Sequence, residues 1–433
     1  MRTPAETAPN PTAAATGGVP FRVVVVGSGP SGCYTAQALR KGQPDIEIAV
    51  LDSLPTPFGL VRYGIAPDHQ GAKAVSRQFE RVFAQPGVEF VGNVSVGTDV
   101  GFASLAENFH AVVLATGLGA DRRLDIDQDP DVPIVGAGDL IRLLNSDPDA
   151  GLRHRPDGPG SLGSEVVVLG TGNVAVDVVR LLAKSGPDLI GSDIDDDALR
   201  ALAPAPVRTI HVLGRCPSHL AKWDTSMVRE LAQVAGVRVS VDGTPLLDEP
   251  AASPRTTVDV RFERVPASIR RHDGRVRVTT HRAGDTGTVD HLDADSVVTA
   301  LGFGPSAAQL ARFGGLDAPN VFRVGGPRTG RLGNLAENRK LAADTARDVL
   351  AFLCGREQRH RAGLDGLREH LPASVVGFEE WRRIDDAEIR RARPDRCRTK
   401  FTTRAELLAA ATGSGALSSI PSAATGPTAT QEK

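Results

Sequence analysis

Cysteine is scarce in this chain. The four residues, at positions 33, 216, 354 and 397 of 433, form neither a CxxC pair nor a zinc-ligand pattern. That excludes a disulfide scaffold and a cysteine-held zinc or iron–sulfur centre, and it makes a reducing cytoplasm the expected compartment. Excess charge is missing too. Lys and Arg total 50 against 52 Asp and Glu, a net of −2, so there is no basic footprint for nucleic acid. No apolar run approaches the roughly 20 residues of a membrane span. Residues 1–20, MRTPAETAPNPTAAATGGVP, lack the apolar middle of a secretory signal, and only Arg2 is basic. What remains is ordinary for a soluble globular protein, with 41% hydrophobic and 24% charged residues. The length suggests two or three domains and a core able to hold a sizeable cofactor.

Both ends are poor in apolar surface. Residues 1–20 and 412–433 are rich in Ala, Thr, Ser, Gly and Pro, and are expected to be disordered tails around a fold at 21–411. Inside it one theme occurs twice. FRVVVVG at 21–27 is a β-branched run too short for a helix, which reads as a buried parallel strand. A helix over 31–41 and a strand at 46–52 follow. EVVVLG at 165–170 starts the theme again, with a helix about 173–185 and a strand at 208–215. AVVLATG at 111–117 and SVVTALG at 296–302 read as passages between domains. Residues 145–164 read as a polar connector, 187–206 as an excursion, and 257–265 and 274–281 as antiparallel additions. The expected fold is α/β, with two Rossmann-type dinucleotide-binding domains. One is formed by 21–117 plus 300–411, and the other by 118–299.

The two loops specify the chemistry. Gly27-Ser28-Gly29-Pro30-Ser31-Gly32 fits GxGxxG between a strand and a helix. Gly27 permits the tight turn, Gly29 lets backbone approach a pyrophosphate, and Gly32 allows helix to pack on strand. The helix N-terminus offers free N–H groups to phosphate. Asp52, at the end of the second strand, suits a ribose and repels a 2′-phosphate, which favours FAD or NAD here. Gly170-Thr171-Gly172-Asn173-Val174-Ala175 is GxGxxA, and its next strand ends at Arg215, a guanidinium able to pair with a 2′-phosphate. That favours NADPH in the second domain. Two nucleotide sites without a CxxC suggest that one nucleotide reduces a bound flavin, which passes the electrons elsewhere.

The stretch LPTPFGLVRYGIAPDH at 54–69, with GSGPSG before it and GTGNVAVDVVR after it, resembles the adrenodoxin reductase family of NADPH:ferredoxin reductases. FVGNVSVGTDV at 90–100, ATG at 115–117, RTGRLGN at 328–334 and GFEEWRRIDDAEIRRARPDRCRTK at 377–400 continue the match. The resemblance implies FAD contacts from Gly32, Asp52, Leu60, Val96, Gly326, Gly330, Arg331 and Leu332. It implies NADPH contacts from Gly172, Asn173, Val174, Ala175 and Arg215. It places His69, Asp177 and Glu230 as catalytic groups near the redox centre, and the N-terminus of a helix over 336–353 at the flavin's pyrimidine edge. The implied acceptor is a ferredoxin, including one of a cytochrome P450 chain.

Several positions depart from the family pattern. Its two consecutive arginines are Arg215 and Cys216 here, a glutamate is Met227, and a flavin-adjacent Trp is absent from VGGPRTG at 324–330. Residues 236–262 are shortened where the family carries basic docking residues. Seven arginines at 382, 383, 390, 391, 393, 396 and 398 are expected either to form a self-paired surface or to replace that docking region in part. Two other readings stand beside electron transfer to ferredoxin. One is a repurposed flavoenzyme acting directly on a small molecule, and the other is a non-catalytic nucleotide-binding module.

Overall fold

The computed structural model describes residues 20–247, 253–354, 356 and 359–413. The expected tails therefore fall almost wholly outside the described residues, as do residues 248–252 of the shortened segment. Thr412 is a correction: it closes the helix Arg404–Thr412, which ends on a left-handed Gly413.

The β-branched run Arg22–Val26 lies at the centre of a five-stranded parallel sheet. The order is Val321–Arg323, Ala111–Leu114, Arg22–Val26, Glu47–Leu51 and Val88–Val91. Val24 stands between Ala49 and Val112 in register, with no exposed surface. Burial on both faces accounts for the unbroken apolar spelling of these strands. Helix Pro30–Gly42 packs on one face beside the long helix Leu335–Cys354.

Glu165–Leu169 holds the corresponding place in a seven-stranded sheet. The order is Thr244–Pro245, Val237–Val241, Thr256–Arg261, Thr209–Leu213, Glu165–Leu169, Ser296–Thr299 and Ile134–Gly136. Every pairing is parallel except the short one of Thr244–Pro245. The fold is thus α/β with two Rossmann-type halves. The chain leaves the first sheet after Leu114 and returns at Val321. At the two passages Ala120–Asp121 pairs antiparallel with Phe303–Gly304.

One further sequence expectation needs correction. Residues 257–265 are not an antiparallel addition: Thr256–Arg261 is a parallel strand inside the sheet, and only Arg264–His272 belongs with Arg275–Arg282 and Asp285–Ala294 in the antiparallel meander. The connector 145–164 begins inside the fold, with Asn145, Ser146 and Asp147 buried. The excursion 187–206 between the second helix and its next strand is anchored by buried charge. Asp193, 3% exposed, takes both oxygens' worth of hydrogen bonds from Lys73 Nζ at 2.7 and 2.9 Å, and Lys400 Nζ lies 2.7 Å away. Asn145 Oδ1 accepts from both lysines. Burial pushes both ammonium groups down, and the two cations hold Asp193 below the usual carboxylate range. A desolvated charge persists only when paired, so this cluster fastens the C-terminal segment and Lys73 to the second half of the fold.

The arginine-rich stretch is mostly self-paired. Arg396 and Arg398 reach Asp196, Asp395, Asp385 and Glu388, and Arg393 reaches Asp196 and Asp395. Arg382 and Arg383 pair within their helix, and Arg391 stacks on Phe401. No helix among the described residues is long and apolar enough to cross a membrane.

Candidate active site

Both glycine loops leave the carboxyl ends of central strands, and both open into one cleft of about 1940 Å³. Their first and third positions are occupied by packing. A Cβ on Gly27 (φ +108°) would lie 2.4 Å from Ala115 O, and one on Gly32 only 1.9 Å from Gly27 O. A Cβ on Gly29 would meet nothing within 4 Å. The second loop repeats this. A Cβ on Gly170 (φ +122°) would lie 2.4 Å from Ala300 O, one on Gly172 would meet nothing, and Ala175 is 1% exposed. The middle glycine of each loop is therefore bare backbone facing the cleft, at the N-terminus of helix Pro30–Gly42 or Asn173–Ala183. This shape and the N–H groups fit a pyrophosphate at each loop.

The sequence-selected residues gather around these cradles. Gly27, Gly29, Asp52, Leu60, Val96, Gly326, Gly330, Arg331 and Leu332 line the cleft on the first side, and Gly172, Asn173, Val174 and Arg215 on the second. Gly32 and Ala175 do not line it; they hold helix to strand. Asp52 also fastens its own loop. Its Oδ2 accepts from the Ser28 N–H at 2.8 Å and the Ser28 hydroxyl at 2.5 Å, and its Oδ1 from the Leu54 N–H. Burial raises its carboxyl, with the Ser28 hydroxyl foremost in opposing this. The segment after Leu54 packs on the same loop: Phe58 N–H donates to Ser28 O, and Phe58 lies edge-on to Trp381 at 5.8 Å. Helix Leu335–Cys354 presents its first turn to the cleft, fixed there by Ser31 Oγ donating to Asn338 Oδ1 at 2.8 Å.

Between the cradles stands a charge cluster. His69 Nδ1 lies 3.5 Å from Asp177 Oδ1, and its Nε2 lies 3.5 Å from Glu230 Oε2. His69 and Asp177 line the cleft, whereas Glu230 lies behind the imidazole and is 46% exposed. Three residues that sequence reasoning had not singled out complete the cluster. Arg180, fully buried, donates to Asp177 at 2.6 Å and to Asp68, and lies 3.5 Å from Glu230. Lys184 donates to Asp68 at 2.7 Å. A signal for these was present in the sequence: Asp177, Arg180 and Lys184 recur at helical spacing on one face, and Asp68 adjoins His69.

Three carboxylates here face the Arg180 and Lys184 cations, an excess of negative charge that favours protonation of one of them. Burial first, then the charge of Glu230, pushes the Asp177 carboxyl up to about 7, while Lys184 opposes. Glu230 is held below its usual range, burial being outweighed by Arg180, His69 and Lys184 together. The Arg180–Asp177 contact counts as a further opposing pull, yet Arg180 also serves Asp68 and Glu230, so the upward direction stands. Asp177 is thus placed to exchange a proton beside the cleft near neutral pH.

Comparison with known proteins agrees with this geometry. Residues 21–244 match the family model described as pyridine nucleotide-disulphide oxidoreductase. Cindoxin reductase of Citrobacter braakii is 39% identical over 89% of this chain and 90% of its own. NADPH-ferredoxin reductase FprA of Mycobacterium leprae is 31% identical over 89% of this chain and 97% of its own. The solved structure of Mycobacterium tuberculosis FprA in complex with NADPH superposes with a TM-score of 0.80 at 30% identity, over 91% of this chain and all of that one. This chain belongs to the pyridine nucleotide-disulphide oxidoreductase family and, within it, to the FAD-dependent NADPH:ferredoxin reductases.

Proposed function

We infer that this protein transfers electrons from NADPH through FAD to a ferredoxin. The observation that carries the reading is the pair of open glycine cradles facing one cleft with the His69 cluster between them. Bound there, FAD converts a two-electron donor into single-electron steps. The chain's own residues bind, orient and supply protons. Gly29, Asp52, Leu60, Val96, Gly326, Gly330, Arg331 and Leu332 would hold FAD, with Gly32 setting the loop. Gly172, Asn173, Val174 and Arg215 would hold NADPH, with Ala175 setting the second loop. Holding two reactants at fixed geometry removes much of the entropic cost of their encounter. His69 would hold or release a proton at Nδ1 or Nε2, with Asp177 and Glu230 fixing the ring and sharing the charge.

The FAD half would span 21–117 and 300–411, and the NADPH half 118–299. The free thiols of Cys33, Cys216, Cys354 and Cys397 fit a reducing cytoplasm. The test is steady-state NADPH oxidation with either a ferredoxin or a small neutral dye as acceptor. Fast ferredoxin reduction supports the reading. Dye reduction without ferredoxin reduction would favour a flavoenzyme acting on a small molecule.

A further inference from the structure

The second nucleotide site carries a cation that the paired-arginine pattern does not contain. Strand Thr209–Leu213 runs into Gly214 and Arg215, and Arg215, Cys216 and Lys222 line the same stretch of the cleft. Lys222 follows the turn Ser218–Leu220, and its backbone is fastened on both sides. Ala221 N–H donates to Ser218 O at 3.1 Å. Trp223 packs edge-on against the buried Phe262, with ring centres 5.2 Å apart. Asp224 N–H donates to Asn173 Oδ1 at 2.7 Å, which ties this segment to the second phosphate loop itself.

The cations near this end of the cleft are not equivalent. Arg264 also lines it, but its guanidinium lies 3.1 Å from Asp290 Oδ2. Asp224 spends its carboxylate on the Ser226 N–H and hydroxyl, capping helix Thr225–Ala232, and Glu263 pairs with Arg282. Arg215 and Lys222 have no hydrogen-bond or ion-pair partner among the described residues. Leu220, 56% exposed, lines the cleft beside them as an apolar wall suited to a purine face. Two unpaired cations with an apolar wall beside a phosphate loop match the adenine end of a dinucleotide that carries an extra phosphate.

We propose that Lys222 is a specificity-determining residue that, together with Arg215, binds the 2′-phosphate of NADPH in place of the arginine replaced by Cys216. This rests on the assignment of the second loop to NADPH. A lysine here gives a point charge on a flexible stem, without the two-pronged geometry of a second guanidinium. It therefore adds affinity for the phosphate and adds little elsewhere on the nucleotide.

Calorimetric titration of the holoenzyme with 2′,5′-ADP and with 5′-ADP tests the proposal without turnover. Lys222→Ala should weaken 2′,5′-ADP binding roughly tenfold and 5′-ADP by less than about twofold, the loss expected of one screened charge-assisted contact. Lys222→Arg should restore the difference, and the loss should shrink at high salt. Retention of full 2′,5′-ADP affinity in Lys222→Ala would overturn the role of Lys222 alone. Equal loss for both ligands would also overturn it, as a structural effect. Failure of the wild-type protein to distinguish the two ligands would overturn the placement of the 2′-phosphate at this loop altogether.

Discussion

Neutralising Glu230 separates the two causes of the Asp177 shift. Burial is the larger and the charge of Glu230 the next; Glu230→Gln removes only the second. Both carboxylates sit 3.5 Å from one imidazole. They approach opposite ring nitrogens, so their charges lie up to about 9 Å apart, an interaction of roughly 2 kcal/mol at an effective dielectric of about 20. Glu230 is 46% exposed, and solvent screening reduces this to about 1 kcal/mol, somewhat under one pH unit. The assay is stopped-flow bleaching of the flavin by NADPH across neutral pH. The wild-type rate should show an inflection at about 7. Removing a negative neighbour favours the ionised carboxylate, so Glu230→Gln should move the inflection down by about half to one pH unit. Asp177→Asn should abolish it. An inflection that survives Asp177→Asn, or that moves upward in Glu230→Gln, would refute the charge accounting of this cluster.

The glycines should divide by position. Gly29→Val places its side chain where nothing lies within 4 Å, so the fold should persist by circular dichroism while FAD retention is lost. Gly32→Ala drives a Cβ into Gly27 O, so it should lower stability by about 1–3 kcal/mol in urea unfolding. Cys216→Arg should increase the NADPH-over-NADH ratio of kcat/KM by roughly one power of ten, the gain expected of one further charge-assisted contact. Asp193→Asn leaves Lys73 and Lys400 buried without their anion and should cost about 3–5 kcal/mol in urea unfolding. The linkage has a definite sign. The folded Asp193 carboxyl lies below its ordinary value, so its contribution is present above the usual carboxylate range and is lost as pH falls through and below that range. The wild-type advantage over Asp193→Asn should therefore shrink at acid pH.

The strands and phosphate loops were legible because their signals are local. A run of four valines, as in Arg22–Val26, is too short for a helix and ends at a glycine. The expected helix over 336–353 emerged as Leu335–Cys354 for the same reason, its pattern being contained within the element. Pairing was not local. The alternation in Thr256–Arg261 reads as a half-buried hairpin strand, yet its partners are Val237–Val241 and Thr209–Leu213, both parallel. The buried ion cluster was beyond a linear reading. Lys73 and Asp193 are 120 residues apart, and Arg62 O and Lys400 are 338 apart. The excursion at 187–206 carries no local mark of the lysines that its Asp193 meets. At the candidate site His69, Asp177 and Glu230 stood out as titratable groups, whereas Arg180, although it ends the matching stretch GTGNVAVDVVR, reads in sequence as one more helix-surface cation. The helical spacing with Asp177 hints at it, but its burial follows from the three carboxylates that converge on it.

Two cradles on one cleft imply that a two-electron donor is turned into single-electron delivery there. The direct measurement is anaerobic and sequential. One equivalent of NADPH is added to the purified flavoprotein, and oxidised ferredoxin is then titrated in, with both chromophores followed by absorbance. The account predicts that NADPH bleaches the flavin and that each flavin then reduces two ferredoxins as its own colour returns. A bleached flavin that leaves ferredoxin oxidised would contradict it.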